Sequence, residues 1–363
     1  MARAIGLITA NYSSEDHSLL TEVRPAASLP FAGRYRLIDF PLSNMVNAGL
    51  RKVGVIMPYN YRSIIDHIIS SKDWNLDRKN GGLFILPGSA YGSSRESSRF
   101  LIRDIDANRS FLEKSDTEYV VMASSNVIYN MNLEYVIATH QESGADITIL
   151  EKRVDADDPD LWAADIEDGR VKSMHRGVKG GELAFLDTFI AKRELLLQCL
   201  DWYQAVSHLD LFEALSNDFE RLYVMSWEFK GYAASIFRTD SYYRRNMDLL
   251  DPHINADIFR TDRTIMTKAH DVAPAKYEPG AVVSNSLISA GSKIAGTVTG
   301  SVLGRNVRVE KGAVIIDSLI GQDCVIESGA RVVNAIIDRN NRIPENTQLC
   351  GTHEAVLVHG KGE

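Results

Sequence analysis

Four stretches near the C-terminus decide the fold: Ser286-Leu-Ile-Ser-Ala-Gly-Ser-Lys-Ile294, Ser301-Val-Leu-Gly-Arg-Asn-Val-Arg-Val309, Ser318-Leu-Ile-Gly-Gln-Asp-Cys-Val-Ile326 and Ala335-Ile-Ile-Asp-Arg-Asn-Asn-Arg-Ile343. Their starts lie 15, 17 and 17 residues apart. Ile288, Leu303, Ile320 and Ile337 form one apolar column, and Ile294, Val309, Ile326 and Ile343 form a second. No single repeat can bury its apolar face alone, so the repeats must stack. A period near 18 residues built from apolar hexads predicts a parallel β-helix with three short strands per turn. A β-sandwich would space its strands similarly without repeating these columns.

Upstream the period changes. Residues 1–245 alternate short apolar runs with helical patterns. Ala4–Ile8, Val53–Met57, Tyr119–Ala123 and Asp146–Leu150 are expected as buried strands. Asn44–Gly49, Tyr61–Ser70 and Leu133–Ser143 are expected as helices. Such alternation implies an α/β domain with a mostly parallel sheet covered on both faces. Ligands of such sheets sit beyond the C-terminal strand ends, which points to Thr9–Ser28 and Ser124–Asn130. Pro252, Pro274 and Pro279 mark 246–278 as a connector, which leaves 279–363 for the β-helix.

Composition narrows the classes. The chain has 363 residues, 45% of them apolar, and a net charge of −8. That length suits two domains, and the acidic balance argues against a nucleic-acid binder. Cys199, Cys324 and Cys350 are odd in number and far apart, so they predict free thiols rather than a disulfide framework or a metal site. The N-terminal apolar run is too short for a signal peptide, and no later stretch approaches ~18 apolar residues. The expectation is a cytoplasmic chain with no membrane partner.

Arg24–Leu50 reads RPAASLPFAGRYRLIDFPLSNMVNAGL. Trp74-Asn-Leu-Asp-Arg78 precedes Gly81-Gly-Leu-Phe-Ile-Leu-Pro87, and Asp240-Ser-Tyr242 leads into Asn246-Met-Asp-Leu-Leu250. Together these resemble ADP-glucose pyrophosphorylase (glucose-1-phosphate adenylyltransferase). The resemblance implies a Rossmann-like nucleotidyltransferase domain followed by a left-handed parallel β-helix of hexapeptide repeats, assembled as a tetramer. It also implies a reaction that joins glucose 1-phosphate to the α-phosphate of ATP and releases pyrophosphate.

That chemistry needs a glycine-rich loop to cradle the triphosphate, carboxylates to hold magnesium and basic residues to clamp phosphates. The family's G-G-x-G-x-R loop falls here on Asn11, Tyr12, Ser14 and Asp16, with Glu15 beside them. Its glycines are gone and two carboxylates stand where a polyanion would lie. Ala26 replaces the lysine of the following segment. The two positions that carry magnesium-binding aspartates in the family are Asn126 and Ser235. The family's G-T-A-D-A segment falls on Phe100-Leu-Ile-Arg-Asp104, and its sugar-phosphate lysine has no counterpart unless Lys172 or Arg176 stands in. No catalytic residue and no resident metal or cofactor is therefore expected. The chain resembles the noncatalytic subunit of the bacterial heteromeric enzyme, whose catalytic paralogue uses Mg2+.

Arg24, Arg36 and Arg308 match arginines of the family's anionic effector site, and a planar guanidinium suits a phosphorylated small molecule. A local role for Arg24 and Arg36, bonding backbone carbonyls or Asp39, stays open. His67 is expected as a helix-surface or packing residue, and His353 and His359 as solvated tail residues. The repeats Ser286–Ile343 contain no histidine, which argues against a β-helix acyltransferase. Two other readings stay open. One is an active nucleotidyltransferase with other metal ligands, such as Asp104 or Asp106. The other is an effector-binding scaffold that forms a homo-oligomer.

Overall fold

The computed structural model describes residues 4–10, 18–88, 99–216 and 218–362. The N-terminal unit is built on a nine-stranded sheet. Its order is Gly82–Pro87, Lys52–Met57, Ala4–Thr9, Tyr119–Ser124, Leu183–Lys192, Ile147–Arg153, Val224–Glu228, Arg170–Val178 and Asp158–Glu167. The first four are mutually parallel, as are Ile147–Arg153 and Val224–Glu228. Leu183–Lys192 runs against both neighbours, and the last two strands form a hairpin. Every residue of Ala4–Thr9 and Tyr119–Ser124 is buried, because helices cover both faces. Ile5, Leu7, Val120 and Met122 enter one core; Ala4, Ile8, Val121 and Ala123 enter the other. This is the period-2 alternation of a strand.

The helix expected at Leu133–Ser143 is there with those bounds. Asn132 caps its start by accepting from the Tyr135 N–H, and Gly144 ends it at φ 67°. The helix expected at 44–49 instead spans Asp39–Asn47 and ends before Gly49, whose φ is 78°. Its first turn contains Pro41, which is tolerated there because it gives up no intrahelical donor. The helix expected at 61–70 is shorter, Arg62–Ile68.

Three five-stranded parallel sheets make the left-handed β-helix. Ile288, Leu303, Ile320 and Ile337 pair in register, as do Ile294, Val309, Ile326 and Ile343. Each coil turns by placing a residue in the left-handed region. Gly291, Asn306, Asp323 and Asn340 occupy one such corner, with φ of 78°, 59°, 59° and 61°. Glycine, asparagine and aspartate bear that conformation most readily, which explains why the corners carry no branched residue. The first rung strand is Lys276–Tyr277, ahead of the expected start at 279, because it pairs with Lys293–Ile294. The helix Thr239–Asp248 runs across the expected boundary at 245, and Pro252–Ile258 is helical within the connector.

The two units share a core. Val302, Leu319 and Ile336 point outward from the β-helix and pack with Phe31, Phe40, Tyr242, Tyr243 and Leu249. Polar bonds cross the same seam: Tyr243 Oη donates to the Asp317 carbonyl at 2.6 Å, and Arg305 donates to the Arg34 carbonyl at 2.9 Å. Gly33, at φ 71°, sits so close that a Cβ there would meet Ser289 and lie 2.6 Å from the Leu303 carbonyl oxygen. Gly33→Ala therefore combines a left-handed backbone with a clash against β-helix main chain. It should cost about 3 kcal/mol, read as a lower urea midpoint; an unchanged midpoint would show that the seam yields.

Candidate functional site

The first candidate lies beyond the C-terminal ends of the central strands. Strand Ala233–Ser235 pairs antiparallel with Val127–Tyr129, setting Ser235 opposite Val127. The Ile236 N–H donates to the Asn126 carbonyl at 2.8 Å, and the Ser125 N–H donates to the Thr9 carbonyl at 3.0 Å. The fold thus brings Asn126 and Ser235 together at the end of Tyr119–Ser124. Asn126 is fully buried and its Nδ2 has no partner among the described residues. The Thr9 hydroxyl at the end of the neighbouring strand also has none among them. Neutral amide and hydroxyl groups form this point. A divalent cation of the magnesium type takes its charge compensation from carboxylates, so the residues present do not fit one.

Among the described residues, buried carboxylates of the same sheet and of the segments beside it are committed elsewhere. Asp187 lies one residue before the Thr188–Ala123 pair, at φ 43°. Its Oδ2 is 2.7 Å from Arg99 Nε, and Arg99 stacks over the Phe237 ring at 4.1 Å. Burial pushes the Asp187 carboxyl up to about 7 against the pull of Arg99. Asp210, beside them, accepts the backbone N–H groups of Arg99, Phe100 and Phe212. At the end of Ile147–Arg153, buried Glu151 accepts the Ser226 hydroxyl. Burial raises Glu151 to about 7, opposed by that hydrogen bond and reinforced by Glu228. Among the described residues no group of three or more His, Cys, Asp or Glu could hold a metal ion. Asp104 and Asp106 sit on the helix Ile102–Asp106, each near an arginine, Arg103 at 3.7 Å and Arg109 at 3.0 Å. Lys172 and Arg176 pair with Glu167 and Asp160 on the hairpin. Ala26 is buried in a short 3-10 turn. Asn11, Tyr12, Ser14 and Asp16 lie outside the described residues.

The second candidate is a cavity of about 170 Å³ at the seam. Among the described residues, Arg24, Arg34, Arg36, Lys268, Arg305 and Arg339 line it, against the carboxylates Asp66 and Asp338. Arg24 and Arg36, expected as anion ligands, do meet here. Arg308 does not: it is exposed on the rung Arg308–Val309, on a different face of the β-helix. The β-helix instead supplies Arg305 and Arg339. These and Gln322 are spaced 17 residues apart, two positions past the column Leu303, Ile320, Ile337. A reading of the corner residues, not only the apolar columns, would have found them.

Both readings of Arg24 and Arg36 have a part in the geometry. Arg24 is buried, and its Nη2 reaches Asp338 Oδ1 at 2.8 Å across the seam. The Arg36 guanidinium donates to the Ser63 carbonyl, and its N–H to Asp39 at 2.9 Å. The Nε atoms of Arg24 and Arg339 are buried without a partner among the described residues. Burial, with Arg339 and Arg24 nearby, holds Arg36 down at about 10 although Asp39 opposes this. Burial likewise lowers Arg305, helped by Arg34, and Arg339, helped by Arg24. Confined cations that repel one another and retain free donors favour an incoming anion.

His67 is the packing residue expected on its helix: it is buried on the cavity wall, its Nε2 2.6 Å from Asp39 Oδ1 and its ring edge-on to Trp74. His359, expected in solvent, instead belongs to the last rung, where its carbonyl accepts the Asp338 N–H.

Comparison with known proteins agrees with this architecture. The Nucleotidyl transferase family matches residues 19–162, and the GlmU-like, C-terminal hexapeptide family matches 269–355. The chain is 35% identical over 355 residues to the glycogen biosynthesis protein GlgD of Bacillus subtilis (strain 168), covering 95% of this chain and 93% of that protein. It is 32% identical to GlgD of Geobacillus stearothermophilus, covering 86% and 83%. It is 31% identical to the glucose-1-phosphate adenylyltransferase of Thermotoga neapolitana, covering 87% and 77%.

The buried Glu151 makes a prediction with a defined sign. Its folded pKa, about 7, stands above its ordinary 4.5. Ionising it therefore costs stability progressively as pH rises from about 4.5 to 7. Glu151→Gln keeps an acceptor for Ser226 and should stabilise the chain by up to about 3 kcal/mol at pH 8 and little at pH 4.5. Urea denaturation at both pH values checks this, and equal effects at the two would contradict it.

Proposed function

The chain belongs to the glucose-1-phosphate adenylyltransferase family, and from that premise we propose that it is a noncatalytic regulatory subunit. It acts by associating with a catalytic paralogue that makes ADP-glucose from ATP and glucose 1-phosphate for glycogen synthesis. One observation carries the reading: Asn126 and Ser235 converge at the strand ends where the family resemblance places two magnesium-binding aspartates. The chain's own Arg99 and Ser226 engage Asp187 and Glu151, so neither of these two described carboxylates is free to substitute there. The names of the GlgD relatives support a place in glycogen biosynthesis.

Regulation, in this reading, runs through the seam cavity. A phosphorylated effector would bind Arg24, Arg36, Arg305 and Arg339 and so contact both units at once. A ligand that touches both sides can bias how they sit together, which is what allosteric coupling requires. Packing against the paralogue then carries that bias to the active subunit. Magnesium serves the partner's reaction and is not held by this chain.

The test mixes the purified chain with a full-motif catalytic paralogue and follows pyrophosphate release against added phosphate effector. The mixture should exceed the paralogue alone and respond to effector. Arg339→Ala should weaken that response at least tenfold in half-maximal concentration, in line with a lost charge-assisted contact. Arg308→Ala should leave it unchanged. An Arg308→Ala mixture that loses its response while Arg339→Ala keeps it would refute the assignment.

A further inference from the structure

We propose that Asp338 is an internal counter-ion for the seam cavity, and that an incoming anion takes its place on Arg24. The inference rests on the cavity being an anion site, as argued above. Asp338 is the residue at which the β-helix repeat changes chemistry: the equivalent positions in the two preceding coils are Gly304 and Gly321. A carboxylate therefore enters the cavity in one coil only. Its side chain is buried and receives Arg24 Nη2 at 2.8 Å and the Arg339 N–H at 2.7 Å, both on Oδ1. Arg24 comes from the other unit, 314 positions away in sequence. The pair is thus both the counter-charge of the pocket and an ion pair across the seam.

Its place in the charge balance explains why it can be displaced. Six cations line the cavity against Asp66 and Asp338. Among the described residues Arg24 still has a buried, unpartnered Nε beside the bonded Nη2, and the Nε of Arg339 is likewise buried and unpartnered. A guanidinium forks to two acceptors at once when an oxyanion offers two oxygens. Asp338 offers Arg24 a single contact and is fixed to its own coil, so a dianion can satisfy donors that Asp338 leaves free. The surrounding arginines offset the cost of freeing the aspartate. The resting pair sets the threshold for the effector: it holds the two units together without ligand and weakens anion affinity by competition. Binding exchanges a direct Arg24–Asp338 tie for one in which the anion bridges arginines of both units.

Sulfate is the probe, because its charge is constant over the working pH range. Sulfate affinity is measured by calorimetry on the full chain, and melting temperature is recorded with and without sulfate. Asp338→Asn keeps an oxygen for the Arg339 N–H but removes the competing charge. It should melt below the wild type without sulfate, bind sulfate about tenfold more tightly, and gain more melting temperature from saturating sulfate than the wild type does. Asp338→Ser carries the same expectation should the amide fail to fold. If both variants bind sulfate no more tightly than the wild type, Asp338 is structural only and the proposal falls, while the anion cavity stands. If the wild type binds no sulfate and Arg339→Ala changes nothing, the cavity reading falls and takes this inference with it.

Discussion

The structure depends on the seam between its two units. Val302, Leu319 and Ile336 face outward from a β-helix whose interior already has its own core. They are apolar because the other unit covers them with Phe31, Phe40 and the tyrosines of Thr239–Asp248. That apolar contact excludes water from the groups at its border. Arg24, Arg36 and Asp338 acquire their properties there: in water each would be an ordinary solvated charge, whereas at the seam each must find a partner. The cavity, its unpaired donors and the lowered arginines all follow from docking.

The two candidate sites lie in different parts of the chain. The point where Asn126 meets Ser235 is at the C-terminal strand ends, within the first unit. The arginine cavity is at the boundary with the second. The arginines lining the cavity come from segments other than the strand-end pair, so the residues of one site can change while those of the other are kept. The nucleotidyltransferase architecture is a scaffold for both sites, and the residues at each decide what that site can do.

The sequence was a good guide where a physical rule repeats. The two apolar columns appear as registered ladders because each coil can bury its face only against the next. Leu133–Ser143 was legible because a capping asparagine and a terminating glycine flank it. The reversed strand Leu183–Lys192 was not, since a strand buried on both faces carries no mark of its direction in its sequence. Arg24 and Arg36 were placed in a common site, but Arg308 was not their companion. Sequence spacing marks a coil and says less about which of its three faces meets the other unit. The 17-residue spacing of Arg305, Gln322 and Arg339 is visible in the sequence, but that this corner is the one facing the other unit is seen only in the docked structure. The Asp338–Arg24 pair spans nearly the whole chain, and no local pattern announces it.

The claim that catalysis has been lost from this chain is tested most directly by turnover of the purified chain alone. ATP, glucose 1-phosphate and magnesium are supplied at saturating concentrations and pyrophosphate is followed. The account predicts release no faster than the protein-free background, because the paired residues at the strand ends carry no charge to hold the metal. Sustained release at a rate typical of the family's enzymes would contradict it, and would mean that carboxylates elsewhere in the chain do the work of the aspartates missing at positions 126 and 235.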